Sequence, residues 1–533
     1  MLKRGLYLLV LLVLLFACKS KEVVVEIPEV KEKPFVFPED EIAHHIKKQF
    51  ESLSDSSLIN LYKGNNYKPF WQSDSTIQKG IHWLKNSLYH GLNPDDYHVQ
   101  KLYSCLKYIR WDSTLNHQKY AELDILLSTS IKKCGANIHY SKLNPKSFHS
   151  GWNFEKPHQL PHDSIWINLL KVGKTEELNT YFQPNHELYH ALTQELKHIL
   201  LNPIQNYQAI SNPDFLLQQG DSNIYVLPIK RRLLNIHPDS SITMDFNQEL
   251  SYKVKQLQQK HGLSPDGIVG KQTYYFLNWN QQRYIDAIKV NLERVRWLSD
   301  ISLGDGVVVN IPAQQANLYH NDSLLISSRV IVGKSKNKTQ VFSSNINYLV
   351  FNPCWTVPKS IATTTILRGM KRDSSYLQKR NMFLMHNGDE VEIDSLDTSL
   401  LTANNFPYVV FQNTDPGNAL GQVKFMFKNR YSIYMHDSPQ KRLFNKEVRA
   451  YSHGCIRLQN ALSWSELILK KVDQQSKPIS YHLKKGYPEK VYLKKEIPIK
   501  IVYLTCWLNP ENKQLVFGRD IYSYDYKVLS QLP

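Results

Sequence analysis

Cys455 stands in the stretch Tyr451-Ser452-His453-Gly454-Cys455-Ile456-Arg457-Leu458, one residue past a glycine and two past a histidine. A cysteine is reactive as its thiolate, which is scarce at neutral pH unless a neighbour helps to form it. A histidine within reach takes the proton or pairs with the sulfur as imidazolium. Two are candidates: His453 beside the thiol, and His436, with fifteen residues between it and Ser452. Gly454 lets the backbone pass close to a substrate, so that amide N–H groups near Cys455 can face a developing oxyanion. These are parts of a cysteine acyl-transfer site. The bland alternative is a buried core thiol, since free cysteine is among the most buried residue types. A core thiol does not require His-Gly before it and a second histidine upstream. Zinc ligation by His436, His453 and Cys455 is a rival, but His-Glu-x-x-His is absent and no obvious carboxylate partner stands near the motif.

The elements that must position this site follow from pattern. After Asp305-Gly306 the chain turns to short β-rich runs, Val307–Ile311, Ala316–Tyr319 and Ser328–Gly333, bounded by turn residues. A mainly-β domain therefore spans 306–480, with a polar insertion at about 363–414 and a further β segment at 481–533. Ahead of it, 283–305 carries a helical stripe, Ile285, Ile288, Leu292 and Val295. Residues 41–212 read as helical: Ile81, Leu84 and Leu88 lead to a Gly91 stop, and Leu123, Leu126, Leu127 and Ile131 form another stripe. Residues 213–282 hold a Pro265-Asp266-Gly267 turn between helical patterns, with Pro265 presetting one dihedral and Gly267 accepting positive φ.

At the N-terminus, Lys3 and Arg4 precede twelve apolar residues, Leu6 to Ala17, and then Cys18. Twelve helical residues reach roughly 18 Å, short of the roughly 30 Å hydrocarbon core, so 1–17 reads as a signal peptide. Residues 18–40, rich in Lys, Glu, Val and Pro, read as a tether. The formal net charge is +17. The basic residues are scattered and match no nucleic-acid motif, so attraction to an anionic cell envelope is expected, and no nucleic-acid partner. Of six cysteines, five remain if Cys18 is modified. Cys105, Cys134, Cys354 and Cys506 are either reduced core thiols or two disulfides in one of three connectivities.

His436, the gap, Ser452-His453-Gly454-Cys455 and Arg457 together resemble the signature of the L,D-transpeptidase catalytic domain. Asn352-Pro353-Cys354-Trp355-Thr356-Val357-Pro358, then Gly417-Asn418-Ala419-Leu420-Gly421 and the strand to Tyr434-Met435-His436, follow that family's order. The segment Asp214–Trp279 resembles a peptidoglycan-binding helical module. Asn66–Trp71 and His90–Tyr97 resemble the helical scaffold of multidomain members, and Leu15-Phe16-Ala17-Cys18 resembles a lipobox. The implied fold is multidomain α+β: an all-α scaffold, a three-helix module, and a mainly-β catalytic domain whose insertion forms a flap.

The resemblance also implies roles. Cys455 takes the acyl group of a wall tetrapeptide and releases D-Ala, His436 activates it, and the Asp437 carbonyl orients His436. Ser452, His453, Gly454 and Arg457 shape the pocket, with Trp355, Asn418 and Tyr434 as substrate contacts. An amine from a neighbouring stem peptide completes a 3→3 crosslink; water or a protein lysine as acceptor stays open, as does a wall-binding lipoprotein without activity. No cofactor or metal is implied. The expected partners are peptidoglycan stem peptides and, through lipidated Cys18, a membrane facing the periplasm. Members are typically blocked by carbapenems.

Overall fold

The computed structural model describes residues 38–51, 56–111, 116–155, 175, 177–203, 208–236, 241–298, 305–393, 396–415 and 417–532. The signal segment, Cys18 and nearly all of the tether lie outside them. Among the described residues no helix is long and apolar enough to cross a membrane.

The first region is helical around the helix His117–Tyr140, which buries Leu123, Leu127, Ile131, Cys134 and Ile138 at helical spacing. Asn116 caps its start by accepting from the Lys119 amide. Helices Glu39–Phe50, Asp74–Lys85 and Val99–Trp111 pack on it. The Asp74–Lys85 helix continues as a 3-10 turn to His90 and stops at Gly91, φ +72°. Inside the packing, buried Asp124 accepts from Tyr62 Oη at 2.5 Å and from Trp71 N at 2.9 Å. Phe50, Tyr62, Phe70, Trp71, Tyr97 and Tyr120 are therefore core, whereas Tyr103, Tyr108 and Tyr140 are exposed.

Three short helices, Val226–Leu233, Gln248–Lys260 and Lys271–Leu277, enclose a small core of Val226, Ile229, Leu250, Val254, Val269 and Leu277. Its Pro-Asp-Gly turn is held from within. The Gln258 amide donates to Asp266 Oδ1 and Ile268 O and accepts from Gly267 N, and Gly267 has φ +78°.

The helix Gln281–Trp297 was expected to show one apolar face, but in its second half the polar residues Asn291, Glu293, Arg294 and Arg296 are buried too. Arg296 and Glu293 pair at 3.0 Å with side chains 1% and 0% exposed. Glu293 also accepts from the amides of Lys142 and Leu143, and Arg294 pairs with Asp525 at 2.6 Å. Asn291 exchanges hydrogen bonds with Thr505. The helix thus ties the N-terminal helices to the end of the chain.

The remaining strands are β1 (Gly306–Asn310), β2 (Gln315–His320), β3 (Ser323–Gly333), β4 (Phe342–Phe351), β5 (Trp355–Thr356), β6 (Met382–His386), β7 (Asp389–Val391), β8 (Val409–Gln412), β9 (Val423–Phe427), β10 (Met435–His436), β11 (Ala450–Ser452), β12 (Ile456–Leu458), β13 (Glu489–Val502), β14 (Cys506–Leu508) and β15 (Leu515–Phe517). Nine form one sheet in the order β11-β3-β12-β10-β9-β4-β13-β1-β2, and β2 pairs again with β3. That second pairing closes eight strands on themselves, which removes most free edges. Val307, Val309, Ala316, Leu318, Phe425, Met435 and Ile456 fill the interior.

Two boundaries differ from the sequence reading. β13 lies between β4 and β1, so a division at 480 cuts through the sheet. The insertion begins earlier than 363, because β5 pairs with β8 in a separate sheet, β5-β8-β6-β7. It has its own core of Val357, Ile366, Leu367, Leu384 and Val410. Cys105, Cys134, Cys354, Cys455 and Cys506 are all free thiols.

Candidate active site

β9, β10 and β12 lie side by side, with His436 opposite Lys424 on β9 and opposite Arg457 on β12. The alternate residues Phe425, Met435, Ile456 and Leu458 point into the core. Strand alternation therefore sets Lys424, His436 and Arg457 in a row on the other face. A cleft of about 530 Å³ opens there, lined by Trp355, Tyr434, His436, Ser452, His453, Cys455 and Arg457 among others.

His436 is 5% exposed and its Nδ1 lies 2.6 Å from the carbonyl oxygen of Asp437. A carbonyl only accepts, so Nδ1 carries the hydrogen and Nε2 is left with its lone pair. Burial, reinforced by the positive charge of Arg457, lowers the His436 pKa to about 4. The ring is neutral at neutral pH. Burial also pushes the Cys455 thiol above its usual value, against the pull of hydrogen bonds from Tyr434 and the charges of Arg457 and Lys424. The thiol donates to the Ser432 carbonyl at 3.7 Å. The resting pair is thus thiol and neutral imidazole.

The turn carrying the thiol is tightly held. Gly454 has φ +121°, a region that L side chains rarely adopt, and a Cβ there would meet only Lys338 O at 3.9 Å. Backbone conformation rather than space demands glycine. Ser452 Oγ donates to Cys455 O at 2.6 Å and accepts from Gly454 N at 3.1 Å. The Gly454 amide is therefore engaged and does not serve the oxyanion, contrary to the sequence reading. The amides of His453 and Cys455 remain as donors. Thr339 Oγ donates to Gly454 O at 2.8 Å and accepts from Gly333 N at 2.9 Å, pinning the turn to β3.

Other expected residues separate into two groups. Trp355 and Tyr434 reach the cleft, and Trp355 also packs on the core of the insertion. His453 is exposed on the cleft wall. Arg457 donates to Gln440 at 2.7 Å. Asn418 does not face the cleft. It is 0% exposed, and its amide bonds Gln412 O, Asn413 O and Leu420 N. It shapes the loop before β9 instead of touching substrate. The Asp437 carboxylate accepts from Gln422 N at 3.1 Å and pairs with Lys441. It packs where Gly421, φ +65°, leaves room.

Lys424 was missed. Its ammonium lies 5.6 Å from the Tyr434 ring centre, burial lowers its pKa, and among the described residues it has no carboxylate partner. Its signal was a lone lysine alternating with buried Val423, Phe425 and Phe427. Among the described residues no group of three or more His, Cys, Asp or Glu side chains converges as a metal-ligand set.

Residues 304–473 match the family described as L,D-transpeptidase catalytic domain (YkuD), 56–196 the scaffold domain, and 226–277 the "Putative peptidoglycan binding domain". A curated Haemophilus influenzae protein named "Putative L,D-transpeptidase" is 31% identical over 242 residues, covering 45% of this chain and 48% of that one. The chain thus matches about half the length of that relative. Solved L,D-transpeptidase structures from Mycobacterium smegmatis and Xylanimonas cellulosilytica are each 13% identical, at TM-scores of 0.19 and 0.16. They cover 37% and 56% of this chain and 57% and 100% of theirs. The chain thus carries, in order, a scaffold domain, a peptidoglycan-binding-type domain and an L,D-transpeptidase catalytic domain.

Proposed function

We propose that the chain is a cell-wall L,D-transpeptidase in which Cys455 is the nucleophile and His436 the base. The observation that carries this reading is a neutral imidazole, its free nitrogen fixed by the Asp437 carbonyl, sharing a cleft with the thiol. Nε2 of His436 takes the Cys455 proton as the sulfur bonds to the carbonyl carbon of the third stem residue. The amides of His453 and Cys455 receive the oxyanion. Collapse breaks the C–N bond to D-Ala, whose nitrogen takes the proton from His436, and leaves a thioester. A stem-peptide amine then gives a proton to His436 and attacks the thioester, forming the crosslink and returning the thiol.

Cys455→Ala is expected to abolish D-Ala release from tetrapeptide muropeptides; unchanged release sinks the assignment. Mass spectrometry of wild-type products tests the acceptor: a 3→3 dimer supports crosslinking, whereas tripeptide alone identifies water. We further propose that Cys18 is lipidated and holds the enzyme at a membrane facing the periplasm. Incorporation of labelled palmitate that persists in Cys18→Ala would overturn this. A carbapenem is expected to add its mass to the peptide containing Cys455.

A further inference from the structure

A second cavity, of about 360 Å³, shares no lining residue with the thiol cleft. It lies between the start of the helix Glu187–Leu201, the outer face of β1 and β2, and the β14–β15 hairpin. Ala316 and Leu318 point into the core at 0% exposure, so Gln315, Asn317 and Tyr319 share the outer face.

These three form a prearranged polar ladder. Gln315 donates to Ser327 Oγ at 2.5 Å, Ser327 donates to Asn317 Oδ1 at 2.7 Å, and Asn317 Nδ2 lies 3.4 Å from Tyr319 Oη. The ladder still has amide and hydroxyl capacity directed at the cavity. Across from it stands the half-buried indole of Trp507. It is seated against Gly518, where a Cβ would stand 2.3 Å from the ring, and against Gly262. At the rim, Glu187 and Lys513 pair at 2.9 Å and neutralise each other.

An aromatic plate, primary amides, a phenol, a rim whose Glu187 and Lys513 charges cancel, and Asp322 as a further hydrogen-bond acceptor suit an uncharged ligand with apolar ring faces and many hydroxyl or acetamido groups. We propose that this cavity is a glycan subsite that takes the N-acetylated amino-sugar backbone of the wall polymer while its stem peptides reach the thiol cleft. The proposal rests on the reading of the chain as a wall enzyme and adds a sugar contact outside both the module and the cleft.

The test uses the full chain carrying Cys455→Ala and the tetrasaccharide of N-acetylglucosamine, which has no peptide, followed by calorimetry and saturation-transfer NMR. Binding is expected, and Asn317→Ala and Tyr319→Phe should each weaken it about tenfold by removing hydrogen-bonding groups. Asn317→Ala in the active enzyme should leave D-Ala release from a soluble tetrapeptide at the wild-type rate. No tetrasaccharide binding, binding by both variants as tight as that of the parent chain, or a sugar-free stem peptide whose binding those variants abolish each overturns the proposal. Failure of D-Ala release by the wild type, with tetrasaccharide binding intact, strikes the acyl-transfer reading alone.

Discussion

The geometry around Cys455 sets an imidazole that stays neutral in mild acid in one cleft with a protonated thiol. Because the His436 pKa is lowered to about 4, the imidazole keeps its lone pair as pH falls past the ordinary histidine value. The acid limb of kcat/KM on a soluble tetrapeptide is therefore expected near 4 rather than 6.5; a limb at 6.5 contradicts the buried neutral ring. Lys424 supplies a positive charge beside this pair, with no carboxylate partner among the described residues. Lys424→Met should slow alkylation of Cys455 by iodoacetamide at pH 8 several-fold and raise KM for a carboxylate-bearing donor. Lys424→Arg should restore both. That His436 and Cys455 share a cleft was legible from their residue types and spacing: His436 is on β10 and Cys455 in the turn just before the neighbouring β12. Asn418 was misread because a polar residue in a glycine-rich turn looks the same whether it faces a ligand or bonds its own loop.

At the scale of elements, the site depends on pieces distant in sequence. Thr339 links β3 to the Gly454 turn through two hydrogen bonds. Thr339→Val leaves two buried backbone groups unpaired, which costs about 1–3 kcal/mol. A lowered melting temperature and slower acylation are expected, whereas an unchanged acylation rate would detach Thr339 from the site. The helix Gln281–Trp297 holds a buried ion pair, Glu293–Arg296. Glu293→Gln should cost about 3–5 kcal/mol in urea denaturation, since it leaves Arg296 charged and buried. No sequence period revealed that pair, because charged residues on a helix ordinarily mark the solvent face and only the assembled neighbours bury them. The core of the insertion was hidden for a related reason: its apolar residues are dispersed among polar ones and converge only when β5 joins β8.

For the whole molecule, acid is a lever on the joints between regions. His90 meets Tyr189 at 3.0 Å, His149 stacks on Trp152 and meets Tyr524 edge-on, and His261 bonds both Phe517 O and Tyr284. Burial lowers each of the three to about 3. Their folded pKa lies below the unfolded value near 6.5, so the unfolded chain binds protons first as pH falls. Stability is complete above 6.5 and is lost between 6.5 and about 3, at about 1.4 kcal/mol per pH unit for each histidine. Urea midpoints measured from pH 7 to 4 should fall with that slope, and His261→Gln should flatten it. The position of β13 between β4 and β1 adds a constraint in time. On the ribosome, Cys455 and His436 are both made before residues 489–502, yet the sheet that aligns them has a gap until that strand arrives. A chain released before residue 489 would carry Cys455 and His436 without the strand that joins β4 to β1.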